Sequence, residues 1–340
     1  MSPALRVVIV GCGLIGQKRA EALGPDDVLL GCMDLVASSA DALARAHGAR
    51  AVDTIDDVLA LQPDVVVVAT PHDRLTAMAE LAMEAGAHVL VEKPGGLGSA
   101  QIERLMAVAA RTGRLVKVGF NHRFHPALKR LAREVHSGAH GELLFLRGRY
   151  GHGGRPGYDR EWRAAPERSG GGELIDQGMH LIDLTHWLAG PLPLHSALLK
   201  TQFWDTEVDD NAVVILGRGD DRTAPWAMLH VSWTEWKNTF SLEVYCRTAK
   251  LQVDGLVRSY GPQVLRIYRM GPELGPPDLE ELAYGDADVS WACEWEHFRA
   301  AIAGEVELLG SLEDARYAWR RVEEAYSRGG YAAMRAKATA

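Results

Sequence analysis

Apolar residues fall along the first 120 positions in two alternating rhythms. Short continuous runs at residues 7–10, 28–33, 64–69 and 88–91 are separated by stretches in which apolar positions recur every three to four residues. The runs predict buried strands and the spaced stretches predict helices. Helices are expected near 38–47, 53–61, 74–84 and 99–112, the last closed by Gly113, with further strands at 51–52 and 115–119. The run Val65, Val66, Val67, Val68 is apolar on both faces, as a central parallel strand must be. Six strands joined by helical crossovers predict a doubly wound parallel sheet of the Rossmann type.

Beyond residue 122 the rhythm changes. A helix is expected at 126–136, and strand-like segments recur at 142–150, 194–203, 208–216, 225–234, 239–246, 249–253 and 263–270, punctuated by Gly, Pro, Asp and Asn. Successive strands of this kind predict an α+β domain with a largely antiparallel open sheet. Helices at 177–188, 289–303 and 312–328 complete the chain. The domain boundary is placed between a nucleotide-binding domain at 1–122 and a second domain at 123–340, whose last helices are free to pack back on the first.

Composition narrows the classes. At 340 residues two cores are expected. There is no apolar run long enough to span a bilayer and no basic, cleavable leader at the N-terminus, so a cytoplasmic location is expected. With 37 basic against 45 acidic residues the net charge is -8, which gives nucleic-acid binding no electrostatic support. Cys12, Cys32, Cys246 and Cys293 show neither disulfide nor metal spacing, and no HExxH pattern occurs; no metal is expected.

Candidate chemistry begins at Gly11-Cys12-Gly13-Leu14-Ile15-Gly16, which joins the first strand to a helix. Such a turn brings backbone close to a pyrophosphate at a helix N-terminus. Asp34 ends the second strand, where a carboxylate accepts from the adenosine ribose of NAD and repels the 2′-phosphate of NADP. Leu35, Val36 and Ala37 offer that phosphate no cation. The strand from His88 runs into Glu92-Lys93-Pro94, so Lys93 is presented at the carboxyl edge of the sheet, where ligands bind.

Two polar segments stand out in the second half. Residues 147–173 carry Arg147, Arg149, Arg155, Arg160, Arg163 and Arg168 against four carboxylates, with Tyr158 and Trp162 among them. Long polar loops are often binding loops, although scattered surface ion pairs would give the same letters. After Gly170-Gly171-Gly172, Asp176 and His180 are four residues apart and share a face if one helix carries both. A carboxylate beside an imidazole suits acid–base work.

The glycine turn, Ala69-Thr70-Pro71, Glu92-Lys93-Pro94 and the segment from Gly170 to His180 together resemble the Gfo/Idh/MocA oxidoreductases, over nearly the whole chain. That resemblance implies NAD as cofactor, held by Gly11, Gly13, Leu14, Ile15, Gly16, Asp34, Thr70, Pro71, His72, Glu92, Lys93 and Asn121. It implies Lys93, Asp176 and His180 as the catalytic group. Substrate would be read by His122, Arg123, Tyr158, Trp162, Arg163, Asp176 and His180. The implied reaction is oxidation of a secondary hydroxyl of a sugar, nucleotide-sugar, glycoside or cyclitol to a ketone, with the C3 position favoured, in carbohydrate or aminoglycoside antibiotic biosynthesis. A glycosidase using NAD for transient oxidation and a non-catalytic NAD-binding sensor remain alternatives. Family members commonly form homodimers or homotetramers through the second sheet.

Overall fold

The computed structural model describes residues 4–331. It divides into two compact units, one formed by the chain up to Asn121 with Trp291–Arg316, the other by His122–Ser290 with the chain from Tyr317 onward.

The first unit is a six-stranded parallel sheet. Its elements are β1 (Arg6–Val10), α1 (Leu14–Glu21), β2 (Val28–Met33), α2 (Ala37–His47), β3 (Arg50–Val52), α3 (Ile55–Ala60), β4 (Val65–Val68), α4 (His72–Glu84), β5 (His88–Val91), α5 (Ser99–Thr112) and β6 (Val116–Val118). The order is β3-β2-β1-β4-β5-β6, so the direction of winding reverses between β1 and β4. Crossover helices cover both faces of such a sheet, which is why β1 and β4 are apolar on every residue that the helices sandwich. Val7, Ile9, Val65, Val67 and Leu90 are buried together with Trp295 and Phe298 of the returning helix Ser290–Ile302. That helix is tied down by the Trp295 indole, which donates to Asp27 at 2.7 Å.

The second unit contains α6 (Pro126–His136), β7 (Leu143–Gly151), α7 (Pro166–Ser169), α8 (Glu173–Asp176), α9 (Gly178–Ala189), β8 (Leu194–Lys200), β9 (Asn211–Gly217), β10 (Trp226–Ser232), β11 (Thr239–Cys246), β12 (Ala249–Asp254), β13 (Val264–Arg269) and β14 (Asp278–Ala283). The eight strands run β14-β13-β12-β11-β7-β10-β9-β8. All neighbours are antiparallel except β7 and β10, which are parallel. Along β11, Phe240, Leu242, Val244 and Cys246 are buried in alternation with half-buried residues, the period of a sheet covered on one face. Helix α9 lies against β7 and β10, and α6 against β12 and β13. Gly148 of β7 permits this: a Cβ there would stand 3.2 Å from Leu181 of α9. On the strands Leu198, Trp226 and Met228 remain exposed, and Phe145 is stacked between Trp226 and Tyr245. Among the described residues no helix is long and apolar enough to cross a membrane.

Three local features depart from expectation. The strand β14 was not expected, because its acidic, largely exposed sequence carries no apolar alternation. The single helix expected over 177–188 is preceded by a separate turn of helix, α8, and the His180 amide donates to the Gln177 carbonyl at 3.1 Å, so Asp176 and His180 stand on either side of a break. Arg147 and Arg149 lie in β7 and not in a loop, and Arg147 pairs with Glu243 across the sheet at 2.8 Å.

Candidate active site

In the first unit the site is built where β1 meets α1. Gly11 has φ +98°, and a Cβ on it would stand 2.5 Å from the Ala69 carbonyl. A Cβ on Gly16 would stand 2.0 Å from the Gly11 carbonyl oxygen, so only glycine lets α1 start this close to the strand. Gly13 differs from both. Nothing lies within 4 Å of the place its Cβ would take, which leaves an open cradle at the head of α1, whose first amide groups face it without helical partners. A pyrophosphate fits that opening.

Asp34 fixes the rim. Its carboxylate accepts from the Cys12 amide at 2.6 Å and from the Val36 amide at 2.8 Å, one bond to each oxygen. Each oxygen keeps a second lone pair, enough to receive the two hydroxyls of a ribose. Leu14, Leu35 and Val36, all aliphatic, are 68%, 89% and 57% exposed on the same two turns. Apolar side chains left open beside a carboxylate suit an adenosine better than water. The residues present therefore fit a dinucleotide. Ile15 is half-buried in α1, and Thr70 and Pro71 lead from β4 into α4, which opens on the buried His72.

The Glu92 side chain is engaged within the unit: it accepts from Arg19 at 2.6 Å, and Arg19 also donates to Glu294 at 2.6 Å, with Lys117 3.4 Å from Glu294. All four groups are buried. Burial pushes the Glu92 carboxyl up while Arg19 pulls it back. This balanced cluster explains the charge at the end of an apolar strand, since a buried carboxylate requires a paired cation. Lys93 follows it at the carboxyl edge, half-buried and joined to Pro94 by a cis peptide bond, and Asn121 is buried just after β6.

In the second unit a set of aromatic and acidic side chains gathers around α8 and the start of α9. The His180 ring is stacked on that of His122, centroids 3.7 Å apart and 22° from parallel. His122 Nε2 lies 3.1 Å from the Tyr150 hydroxyl, and both are buried. Tyr150 packs on Tyr260, whose hydroxyl accepts from Gln177 Nε2 at 2.8 Å. Burial, with Tyr260, Asp176 and Glu173 nearby, holds the Tyr150 hydroxyl well above its ordinary pKa. It is therefore a neutral donor at any physiological pH.

Asp176 has company that the sequence did not reveal. A ring nitrogen of His152 and a carboxylate oxygen each of Glu173 and Asp176 lie within 4.8 Å of one another. The Gly154 amide donates to His152 Nδ1 at 2.9 Å, so the neutral ring carries its proton on Nε2. In that tautomer neither nitrogen has a lone pair free for a cation, and Nε2 lies 3.5 Å from the Tyr158 hydroxyl. Burial lowers the His152 pKa, which favours this neutral form. Arg163 approaches Asp176 to 3.6 Å and stacks over Trp162, its centre 4.6 Å from the ring. Tyr158 is buried between His152, Trp204 and Trp233. Burial, with Asp176 and Glu173, raises its hydroxyl pKa.

The position of α8 is set from below. Asp209 accepts from the Gly172 amide at 3.0 Å and the Leu174 amide at 2.8 Å, and Tyr326 donates to it at 2.5 Å. A Cβ on Gly172 would stand 2.0 Å from the Asp209 carbonyl oxygen, which accounts for glycine there. Asp209 is thus an anchor of the helix.

Arg123 is held by a buried carboxylate. Its guanidinium makes two hydrogen bonds to Asp183, at 2.8 and 2.5 Å, and both groups are buried. A bidentate pair of this kind leaves little of the guanidinium for substrate. His186 stacks on Tyr317, centroids 4.0 Å apart, as a packing residue. Residues missed from sequence are His152, Tyr150 and Glu173: the only signals were a histidine at the end of a strand and an acid beside the glycine turn.

Residues 5–120 match the oxidoreductase family with the NAD-binding Rossmann fold, and residues 128–252 match the GFO/IDH/MocA C-terminal domain. The chain is 32% identical over 195 residues to D-glucoside 3-dehydrogenase of Escherichia coli (strain K12), covering 56% of this chain and 55% of that protein. It is 30% identical over 193 residues to UDP-N-acetylglucosamine 3-dehydrogenase of Acidithiobacillus ferrooxidans, covering 56% of each. These matches span a little over half the length of the curated relatives. The fold is shared with GenD2 from gentamicin A biosynthesis, solved in complex with NAD, at a TM-score of 0.81 and 24% identity over 97% of this chain and 95% of that one. With both of its domains matched in order, and with a Rossmann turn shaped for a dinucleotide, the chain belongs to the Gfo/Idh/MocA family of NAD-binding oxidoreductases.

Proposed function

We propose that this protein is an NAD-dependent dehydrogenase that oxidises a secondary hydroxyl of a glycoside, the C3 hydroxyl in the first instance, to a ketone. The observation that carries the reading is the buried His180 ring in the first turn of α9, held face to face by His122 with Asp176 just before the helix break. NAD, when bound, supplies the hydride acceptor. His180 takes the hydroxyl proton, and Asp176 orients the groups around it and favours the imidazolium that results. Lys93 is proposed to supply positive charge that stabilises the negative charge developing in the reaction. His122 and Tyr150 keep the His180 ring in one orientation. The names of two relatives, both 3-dehydrogenases of glucose-type rings, support the choice of carbon.

We propose Lys93, Asp176 and His180 for chemistry, with Tyr158, Trp162 and Arg163 toward the sugar and His122 positioning His180. We propose further that a cytoplasmic homo-oligomer forms through the open face of the second sheet, which leaves Trp226, Met228 and Leu198 uncovered.

The test is NADH formation with a panel of methyl glycosides, UDP-sugars, inositols and aminoglycosides. Turnover of at least one carbohydrate is expected, with Lys93→Met and His180→Ala each lowering kcat about a hundredfold while NAD affinity stays within a few-fold. Activity confined to non-carbohydrate alcohols overturns the reading.

A further inference from the structure

Two large aromatic side chains of the second unit stand open to solvent close to the Asp176 group. Trp236 is 69% exposed and Phe203 is 55% exposed, and their rings meet edge to face with centroids 4.8 Å apart. Exposed aromatics on a mobile loop would mean little, but both are held. The buried Asp210 carboxylate accepts from the amides of Gln202, Phe203 and Trp204 at 2.7–3.1 Å, which fixes the turn that carries Phe203. Trp204 in turn donates from its indole to the Trp233 carbonyl at 3.1 Å. Trp236 sits in left-handed backbone, φ +47°, a conformation that is unfavourable for a bulky residue and that clusters at functional sites.

Contacts lead from these rings toward Asp176. A Cβ on Gly153 would stand 3.1 Å from Trp236 Cα, and one on Gly154 would stand 2.5 Å from the Trp204 ring. Those glycines immediately follow His152, which faces Asp176 and Glu173. The ring of Trp204 also packs on Tyr158, and Tyr158 on His152. The open aromatic pair is therefore separated from the Asp176 group by a single layer of side chains.

We infer that Phe203 and Trp236 form a stacking platform for a second ring of the substrate, a sugar or cyclitol attached to the ring that is oxidised. The inference rests on the glycoside dehydrogenase reading given above. The C–H face of a pyranose is apolar and carries slight positive charge, and it settles on the negative π-face of an indole or phenyl ring. Gln202, Asp205, Lys237 and Asn238, on the same two turns, offer polar groups for the polar edge of such a ring. Protein occupants fit less well. Two aromatic rings offer about 300–500 Å² even when fully covered, whereas a stable protein interface needs about 800 Å² from each partner.

The experiment compares a one-ring and a two-ring substrate on the full-length protein loaded with NAD: methyl β-D-glucoside and cellobiose. Trp236→Ala and Phe203→Ala are each expected to raise KM for cellobiose roughly tenfold, the loss of one stacking partner. KM for methyl β-D-glucoside and both kcat values should stay within twofold. Equal effects on the two substrates, or none on cellobiose, overturn the platform. If the wild-type protein oxidises neither sugar, it is the glucoside reading that has failed. The platform is then judged by binding alone: quenching of tryptophan fluorescence by cellobiose that is lost in Trp236→Ala supports it, and absence of quenching in the wild type overturns it.

Discussion

The imidazoles of His122 and His180 lie parallel within 22°, centroids 3.7 Å apart, and the outer nitrogen of the first is bonded to Tyr150. Two imidazolium charges at that separation in a buried site would repel strongly, so a positive charge on one ring disfavours one on the other. His122 is therefore a positioning residue for His180. Tyr150→Phe removes one buried hydrogen bond, about 1 kcal/mol, and should lower kcat about fivefold. His122→Ala should lower it more and displace the pH profile of kcat, with NAD affinity unchanged. Steady-state kinetics over pH 5–9, together with NAD titration, decide the matter, and an unaltered profile in His122→Ala removes the residue from this role.

Asp34 should set the cofactor. NAD is expected to bind at least about tenfold tighter than NADP, the roughly 1.4 kcal/mol that one opposed charge supplies. Asp34→Ser with Leu35→Arg should narrow or reverse the preference. Equal affinity of the wild-type protein for both cofactors would contradict the assignment.

Arg123 should matter first to stability, through its buried pair with Asp183. Removing one partner of its buried pair with Asp183 exposes an uncompensated charge, a loss of about 3 kcal/mol. Arg123→Ala should accordingly show a much lower midpoint of denaturant unfolding. A variant of normal stability with a raised KM would return Arg123 to the substrate site.

Asp209 should leave a signature in the pH dependence of stability. Burial raises its carboxyl to about 6, against hydrogen bonds from Tyr326, Leu174 and Gly172 that lower it. The unfolded chain releases that proton near 4. The folded state thus binds more protons between those values, and the contribution to stability is full below about pH 4 and lost as pH rises past about 6. Asp209→Asn, although less stable throughout because an acceptor is lost, should lack this decline. Unfolding curves for both proteins at pH 4.5, 5.5 and 7 read it as the change in their difference.

Much of this architecture was legible from one chain because its signals are local. The β1–α1–β2 turn declares itself through Gly11, Gly13, Gly16 and Asp34, whose spacing follows from backbone geometry alone. The buried strands of the first sheet and the helix from Pro126 to His136 were equally plain. Illegible features depend on partners distant in sequence. Arg123 and Glu92 look like ligand groups until Asp183 and Arg19 are found against them, 60 and 73 residues away. His152 gains meaning only when the Gly154 amide fixes its tautomer and the glycine turn brings Glu173 and Asp176 beside it. The edge strand β14 is held by its pairing with β13, including Arg266–Glu281 and Arg269–Glu280, and acidic letters alone do not announce a strand.

If hydride leaves a sugar carbon for NAD, with C3 as the carbon, a label at that carbon must travel into the reduced cofactor. Methyl β-D-glucoside deuterated at C3, or whichever glycoside the panel identifies carrying the same label, should be incubated with NAD and the reduced cofactor analysed by mass spectrometry. The expected result is one deuterium in the nicotinamide and a ketone at C3, both abolished in His180→Ala. Unlabelled NADH, or release of the aglycone with no net reduced cofactor, would contradict the account.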